Sequence, residues 1–307
     1  MPVFNHEKYV AEAIESILAQ TFTDFEFIIV DDGSQDRSAE IIRDYERQDD
    51  RVRFLELEHN VGKAAAKNHG IEAARGEYIV GMDSDDVSLP ERLQKQVDFL
   101  RANPEIGALG TCGIWTDEEL NPRRHWDVPE KHAHNVYNIF LGWLVLGTSL
   151  MIRRDILNAI GGYELSRKRG NDIELVSRLI CRTRLANLPD RLYLYRKHDG
   201  QYPWAKGKHD WADLLARLLF RLWGEAPQAS LDRFDRVRRG WGKLNWLERR
   251  RAKHDIKRLI ESMITANWIE EEDRAYLIDV MNMQLERTSP RLWQMFCHWR
   301  RHHFGRS

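Results

Sequence analysis

"GEYIVGMDSDD", residues 76–86, decides the fold. Its apolar run Tyr78–Met82 has the texture of a strand, and the Gly/Asp/Ser residues that follow are turn formers, so Asp83, Asp85 and Asp86 fall at a strand's carboxyl end. An earlier run, "FEFIIV" (25–30), closes the same way on "DDGS" (31–34). Helical spacing occupies the intervals. Val10, Ala13, Ile14, Ile17 and Leu18 form one such set, with Asn5 read as N-cap and Glu7 in the first turn. Helices are predicted over Ser38–Gln48 and over residues 61–74, with a strand "VRFLEL" (52–57) between them. Ser88-Leu-Pro-Glu91 reads as a capping box, with proline inside the start of a helix that stops at Asn103-Pro104. Strands alternating with helices imply an α/β fold, an open and largely parallel sheet covered by helices. Ligands bind such sheets outside the carboxyl ends of the strands, which places both acidic clusters along one edge.

Beyond residue 105 the alternation loosens. "IGALGTCGIWT" (106–116) and "GTSLMIRR" (147–154) read as strands, "RDILNAIGGY" (154–163) as a helix closed by Gly161-Gly162, and "NDIELVSRLI" (171–180) as another helix. Past Gln201 come eight of the eleven tryptophans, in segments of helical spacing. Residues 1–200 carry 34 acidic against 26 basic side chains, and residues 201–307 carry 14 against 21. That shift divides the chain into residues 1–205 and a helical, basic, Trp-rich region 206–307. A formal net charge of −1 shows no general bias toward nucleic acid. Cys112, Cys181 and Cys297 have neither metal-ligand nor disulfide spacing, which fits a reducing compartment. No stretch approaches the roughly 18 apolar residues of a membrane span, and no signal-peptide layout opens the sequence. The expected location is the cytoplasm.

Carboxylates one residue apart in a turn can face one hard divalent cation and leave positions for water and phosphate oxygens. Alone, an acidic turn is weak evidence, because Asx-turns and helix caps use the same residues. The surroundings are more specific. "PVFN" (2–5), "VDDGSQDRS" (30–38), "NVGKAAAKNHGI" (60–71), "GEYIVGMDSDD" (76–86), "GTSLMIRRDILNAIGGY" (147–163), "GNDIEL" (170–175) and "YRKHDG" (195–200) occur in this order. As a set, these seven blocks resemble glycosyltransferase family 2, inverting nucleotide-sugar transferases of the GT-A fold, over about residues 1–200.

The resemblance implies a GT-A (Rossmann-like) nucleotide-diphospho-sugar transferase fold with a mostly helical C-terminal extension. Pro2, Phe4, Asn5, Asp31 and Asp32 match segments that hold the nucleoside. Gly62, Lys67 and Asn68 match a segment flanking the nucleotide, where the family usually has arginine rather than Lys67. Asp83, Ser84 and Asp85 match the Asp-x-Asp that meets the sugar nucleotide and a Mn2+ or Mg2+ cofactor, Asp172 matches the catalytic base, and His198 a histidine that in several members reaches the metal or the diphosphate. The implied reaction moves a sugar from a nucleotide-diphosphate donor, UDP by family precedent, to a glycan or lipid-linked glycan hydroxyl. The residue types suit it: a cation neutralises the leaving diphosphate, and a carboxylate takes the attacking hydroxyl's proton.

Blander roles stand beside these. Asp31 and Asp32 could simply end a strand, His198 needs no ligand, and Lys63 and Lys67 would by default be a solvated helix face. Asn171 and Glu174 read as a capping pair that leaves Asp172 free to project, although the family commonly has glutamate at the Asn171 position. The family's first strand, an apolar run ahead of "PVFN", has no counterpart here, so Met1 is read as an internal methionine of a longer product. "RLWQMFCHWRRHHF" (291–304) offers an aromatic helical face with arginines at its end, suited either to packing or to peripheral contact with the inner face of a membrane. Two rival functions remain. Nucleotidyl transfer predicts a Gly-rich basic loop that "PVFNHEKY" lacks, and a non-catalytic scaffold binding a partner through the C-terminal helices would have no use for Asp83, Asp85 and Asp172 together.

Overall fold

A short, wholly parallel sheet begins the chain. Pro2–Val3 (β1) pairs with Phe27–Asp31 (β2), and β2 pairs with Val52–Glu56 (β3). All five residues of β2 are buried, as a strand covered on both faces requires. Helices α1 (Val10–Leu18) and α2 (Ser38–Gln48) make its crossovers, and α3 (Lys63–Ala73) leads on from β3 to the second sheet. On α1 the residues Val10, Ala13, Ile14 and Ile17 are buried, which is the stripe their spacing predicts. The computed structural model describes residues 1–140, 147–165, 170–201, 211–239, 245–267, 269–271 and 273–278.

The second sheet departs from the parallel expectation. It contains Tyr78–Val80 (β4), Val87–Ser88 (β5), Ile106–Thr116 (β6), Pro122–Trp126 (β7), Met151–Arg153 (β8) and Arg184–Arg196 (β9). Its order is β4-β8-β6-β9-β5, with β7 paired to β6. Among the described residues only β6 and β9 run parallel in this sheet; the other pairs are antiparallel. β7 folds back on β6 as a hairpin, and β8, reached only after the helix His132–Phe140, lies beside β6 in the opposite sense. "GTSLMIRR", expected to be strand throughout, opens as a 3-10 turn over Gly147–Ser149 before β8 begins. Helices α4 (Arg92–Ala102), α5 (His132–Phe140), α6 (Arg154–Ala159) and α7 (Asn171–Leu179) complete this part. Beneath β1, Phe27, Ile28, Tyr78, Val80 and Met151 help line a cavity of about 340 Å³.

Three expected helix caps are replaced by other partners. Asn5 does not cap α1: it adopts φ 54°, and its side-chain oxygen accepts from Gln35 N–H at 2.8 Å. Ser88 belongs to β5, and the start of α4 is served by Gln20, whose Oε1 accepts from Leu93 N–H at 3.0 Å while its Nε2 donates to Leu89 O at 2.9 Å. Asn171 is the first helical residue of α7 rather than its cap, because Gly170 at φ 70° turns the chain into the helix and Glu174 pairs with Arg178 instead. Gln20 is buried, so Gln20→Ala strands the Leu93 N–H in the interior, while Leu89 O keeps its bond from Arg92 N–H at 3.1 Å. The expected loss is about 2 kcal/mol, seen as a lower urea midpoint with unchanged slope; an unmoved midpoint would contradict this role.

The chain divides into two compact units, residues 1–135 with 144–209 and residues 136–143 with 210–307. In the second, α8 (Trp211–Trp223) buries Leu215, Leu218 and Leu219, α9 (Gln228–Arg239) buries Leu231 and Phe234, and α10 (Trp246–Thr265) buries Ala252, Ile256, Leu259, Ile260 and Met263. A full capping box, Asn245 with Glu248, opens α10. The aromatic segment 291–304 lies outside the described residues. No described helix is long and apolar enough to cross a membrane.

Candidate active site

Strand β4 ends at Val80 and delivers the loop 81–86 with all of Asp83, Ser84, Asp85 and Asp86 buried. Oxygens from Asp83, Asp85 and Asp86 lie within 4.8 Å of one another. Burial of three carboxylates at such range is costly unless each is compensated, and the structure supplies a different compensation to each. Asp83 Oδ2 accepts from Lys63 Nζ at 2.7 Å, while its buried Oδ1 has no hydrogen-bond partner and stands 3.9 Å from Lys67 Nζ. Asp85 meets His198 Nε2 and Gln201 Nε2, each at 3.2 Å from Oδ2. Burial pushes the Asp85 carboxyl up, but the bond to His198 and the charge of Lys63 outweigh it and hold the group below its usual range.

Asp86 is held differently. Its Oδ2 accepts from the Tyr193 hydroxyl at 2.8 Å and its Oδ1 from Arg196 N–H at 2.9 Å. Burial and the neighbouring Asp85 and Asp83 carboxylates push Asp86 well above the ordinary carboxyl range. The same Tyr193 oxygen accepts from Asp83 N–H at 3.3 Å. Arg92, fully buried, lays its guanidinium 5.0 Å from the Tyr193 ring centroid and donates to Gly81 O at 2.8 Å. Ser84 Oγ is 2.7 Å from His6 Nδ1.

Helix α3 supplies the cations. Lys63 and Lys67 are one turn apart and so share a face. The small residues Ala64, Ala66 and Gly70 let the helix lie close to β2; a Cβ on Gly70 would already touch Val30 Cγ2 at 3.4 Å. Lys67 Nζ donates to Asp172 Oδ1 at 3.1 Å, so one ammonium stands between the Asp83 and Asp172 carboxylates. Lys63 keeps the solvated face expected of it, its side chain 55% exposed, and still bonds Asp83, whereas Lys67, also expected to be solvated, is withdrawn from solvent. Asp172 enters from α7 and packs on Gly147, where a Cβ would come within 2.7 Å of Asp172 Cβ. Asn68 uses both ends of its amide on Tyr163, accepting from its N–H and donating to its O at 2.8 Å each, and the Tyr163 ring lies 4.8 Å from Lys67 Nζ.

Burial raises the Asp172 carboxyl, yet Lys67 and then Lys63 overcome that and hold it below its ordinary value. A depressed carboxyl contributes stability that is complete above the unfolded value of about 3.9 and lost as pH falls through the folded value. In Lys67→Met the burial effect is left unopposed by its main partner. The acid-denaturation midpoint, followed by circular dichroism, is expected to move to higher pH; an unchanged midpoint would deny Lys67 this role.

A second group of predicted residues gathers at the ends of β1 and β2. Asp32 accepts from Val61 N–H at 2.7 Å and Gly62 N–H at 3.0 Å, and Gly62 takes φ 94° at the start of α3. Asp31 Oδ2 accepts from Ser34 N–H at 2.9 Å, leaving its buried Oδ1 without a hydrogen-bond partner. Pro2 is buried within β1, whereas Phe4 is 41% exposed beside Asn5. His6, Tyr193, Arg196 and Gln201 were not identified from sequence. His6 lies next to Asn5 of the "PVFN" block, and Arg196 and Gln201 lie in or directly after "YRKHDG", whereas nothing local marks Tyr193; the last three reach the loop from more than 100 residues away.

A family model described as Glycosyl transferase family 2 matches residues 1–161. The chain is 36% identical over 185 residues to an uncharacterized glycosyltransferase of Methanocaldococcus jannaschii, covering 59% of this chain and 63% of that one, just under two thirds of the relative's length. It is 30% identical over 249 residues to the glycosyltransferase GlyG of Streptococcus pneumoniae serotype 4, covering 76% and 81%. Among solved structures, S. aureus TarS in complex with UDP-GlcNAc superposes with TM-score 0.62 at 19% identity, covering 92% and 86%. The mannosyltransferase PcManGT from Pyrobaculum calidifontis, in complex with GDP-Man and Mn2+, gives 0.51 at 18%, covering 96% and 81%. At these identities the two structures speak to the fold, which is GT-A.

Proposed function

Because the chain belongs to glycosyl transferase family 2 and is a glycosyltransferase, we propose that it moves a sugar from a nucleotide-diphosphate donor, UDP-linked, to a hydroxyl of a glycan or lipid-linked glycan, inverting the anomeric carbon. The observation that carries this reading is the convergence of Asp83 and Asp172 on Lys67 from separate elements. An acidic loop and a lone carboxylate on opposite sides of one cation form a site with two distinct tasks.

The acidic loop fits a divalent cation. Asp83 presents a buried oxygen without a hydrogen-bond partner, and its neighbours supply hard oxygen donors, the ligand class of Mg2+ and Mn2+. Asp83 and Asp85, with His198 behind Asp85, are the residues assigned to hold it. When bound, such an ion supplies charge neutralisation to the leaving diphosphate. Lys67 adds a fixed positive charge beside the same position.

Asp172 is assigned as the general base. Its carboxyl is kept ionised by Lys67 and Lys63, so it can accept the acceptor hydroxyl's proton as the oxygen attacks the anomeric carbon. Pro2, Phe4, Asn5, Asp31, Asp32 and Gly62 are assigned to the nucleoside, supported by the exposed Phe4 ring and the unbonded Asp31 oxygen at one strand end. Ser84 and Asn68 are assigned to the donor side, Asn68 acting by fixing Tyr163 against Lys67. Catalysis is assigned to residues 1–205 and acceptor or peripheral membrane contact to the basic remainder.

Calorimetry with UDP, GDP, dTDP and CDP, with and without Mn2+, tests the reading. One nucleotide, UDP, is expected to bind, and only with Mn2+. Equal binding of all four, or none by folded protein, would overturn it.

A further inference from the structure

The loop that carries the acidic cluster is gripped from behind by one phenol. Tyr193 is fully buried on β9, and its hydroxyl touches the loop at two places: it donates to Asp86 Oδ2 at 2.8 Å and accepts from Asp83 N–H at 3.3 Å. Arg92 braces the ring from the other side and fixes Gly81 O at the loop's entry. Arg196 completes the grip, with its N–H on Asp86 Oδ1 at 2.9 Å and its Nε on Asp85 O at 2.8 Å. Entry, middle and exit of the loop are therefore each tied to buried groups that carry no candidate ligand atom.

Asp86 stands apart within the acidic trio. Both of its oxygens are engaged by donors on β9, whereas Asp83 keeps a buried oxygen without a hydrogen-bond partner and Asp85 directs one oxygen to His198 and Gln201. A carboxylate that spends both oxygens on protein donors orients its neighbours, as groups behind metal ligands do. Resting on the cation reading given above, we propose that Tyr193 is a positioning residue for the cation site and that Asp86 is its anchor, not a ligand. The grip sets where the Asp83 and Asp85 carboxylates stand, and it does so without touching ion or donor.

The proposal separates two variants that a three-ligand site would treat alike. Asp86→Asn keeps an oxygen for Arg196 N–H and an amide that can donate to the Tyr193 oxygen, so the grip survives. Asp85→Asn removes a ligand. Tyr193→Phe leaves every candidate ligand in place and removes one oxygen.

The test is calorimetric titration of full-length protein with Mn2+ in the presence of excess UDP, alongside thermal melts. The expected dissociation constant for Mn2+ rises at least about thirtyfold in Asp85→Asn, stays within about fivefold in Asp86→Asn, and rises about tenfold in Tyr193→Phe, the range found for groups that orient metal ligands. Loss in Asp86→Asn equal to that in Asp85→Asn would make Asp86 a ligand and overturn the proposal. Unchanged affinity in a folded Tyr193→Phe protein would do the same. Should Tyr193→Phe not fold, Asp86→Asn decides alone. No Mn2+ uptake by the unaltered protein, or uptake indifferent to Asp85→Asn, would sink the cation reading itself.

Discussion

Asp172→Asn is expected to lower kcat by roughly 10²- to 10⁴-fold, the span that general bases supply, while leaving donor binding within about threefold. The substitution is nearly isosteric, so the fit of residue 172 against Gly147 is kept. What disappears is the capacity to take a proton. Lys67 loses its carboxylate partner but still faces Asp83, so the charge beside the donor's position is retained. The measurements are initial rates with saturating donor and, separately, calorimetric nucleotide binding. A kcat within tenfold of the unaltered enzyme would remove Asp172 from the chemistry, and a parallel loss of nucleotide binding would reassign it to the donor.

The double change Asp83→Asn/Asp85→Asn should have a comparable effect by another route. A bound divalent ion contributes several kcal/mol of transition-state charge stabilisation, and at about 1.36 kcal/mol per decade this corresponds to roughly 10³-fold in kcat/KM. Nucleotide binding should also lose its response to Mn2+, which distinguishes this variant from Asp172→Asn. Asparagine preserves the volume of both side chains in a buried loop, and Lys63 loses its ionised partner at 2.7 Å, so stability is read in the same samples. Nucleotide binding that still required Mn2+ would place the ion elsewhere.

How much of this was legible in sequence depended on the range of the interactions involved. Helix α2 and strand β6 stand where their own residues place them: α2 turns Ile42 inward, and β6 is buried on both faces over residues 106–113. The two acidic strand ends were readable for the same reason: apolar runs closing on Gly, Asp and Ser state their own boundaries. The caps were misread because the true partners come from elsewhere. Gln20, just past the end of α1, reaches the start of α4, and no local pattern around Ser88 announces it. Lys67 reads as solvated surface because helical spacing cannot show that Asp83 and Asp172 close over it from distant elements. Tyr193 and Arg196 are ordinary strand residues until β9 lies beside the loop that they hold. The antiparallel part of the second sheet was hidden similarly, since the sense of a strand is set by its connection and not by its composition.

Strand β7 has a consequence for how the molecule behaves among its own copies. It pairs with β6 alone, so among the described residues its outer edge offers unpaired peptide groups, a template for another strand. That edge begins with Pro122, which has no N–H to donate, and continues through exposed Arg123, Arg124 and His125. Arg123 is paired with Asp117 at 2.6 Å, so it is chiefly Arg124 that two such edges would press against its own kind. The protein thereby resists edge-to-edge association at high concentration, and does so most strongly in dilute salt, where those charges are least screened.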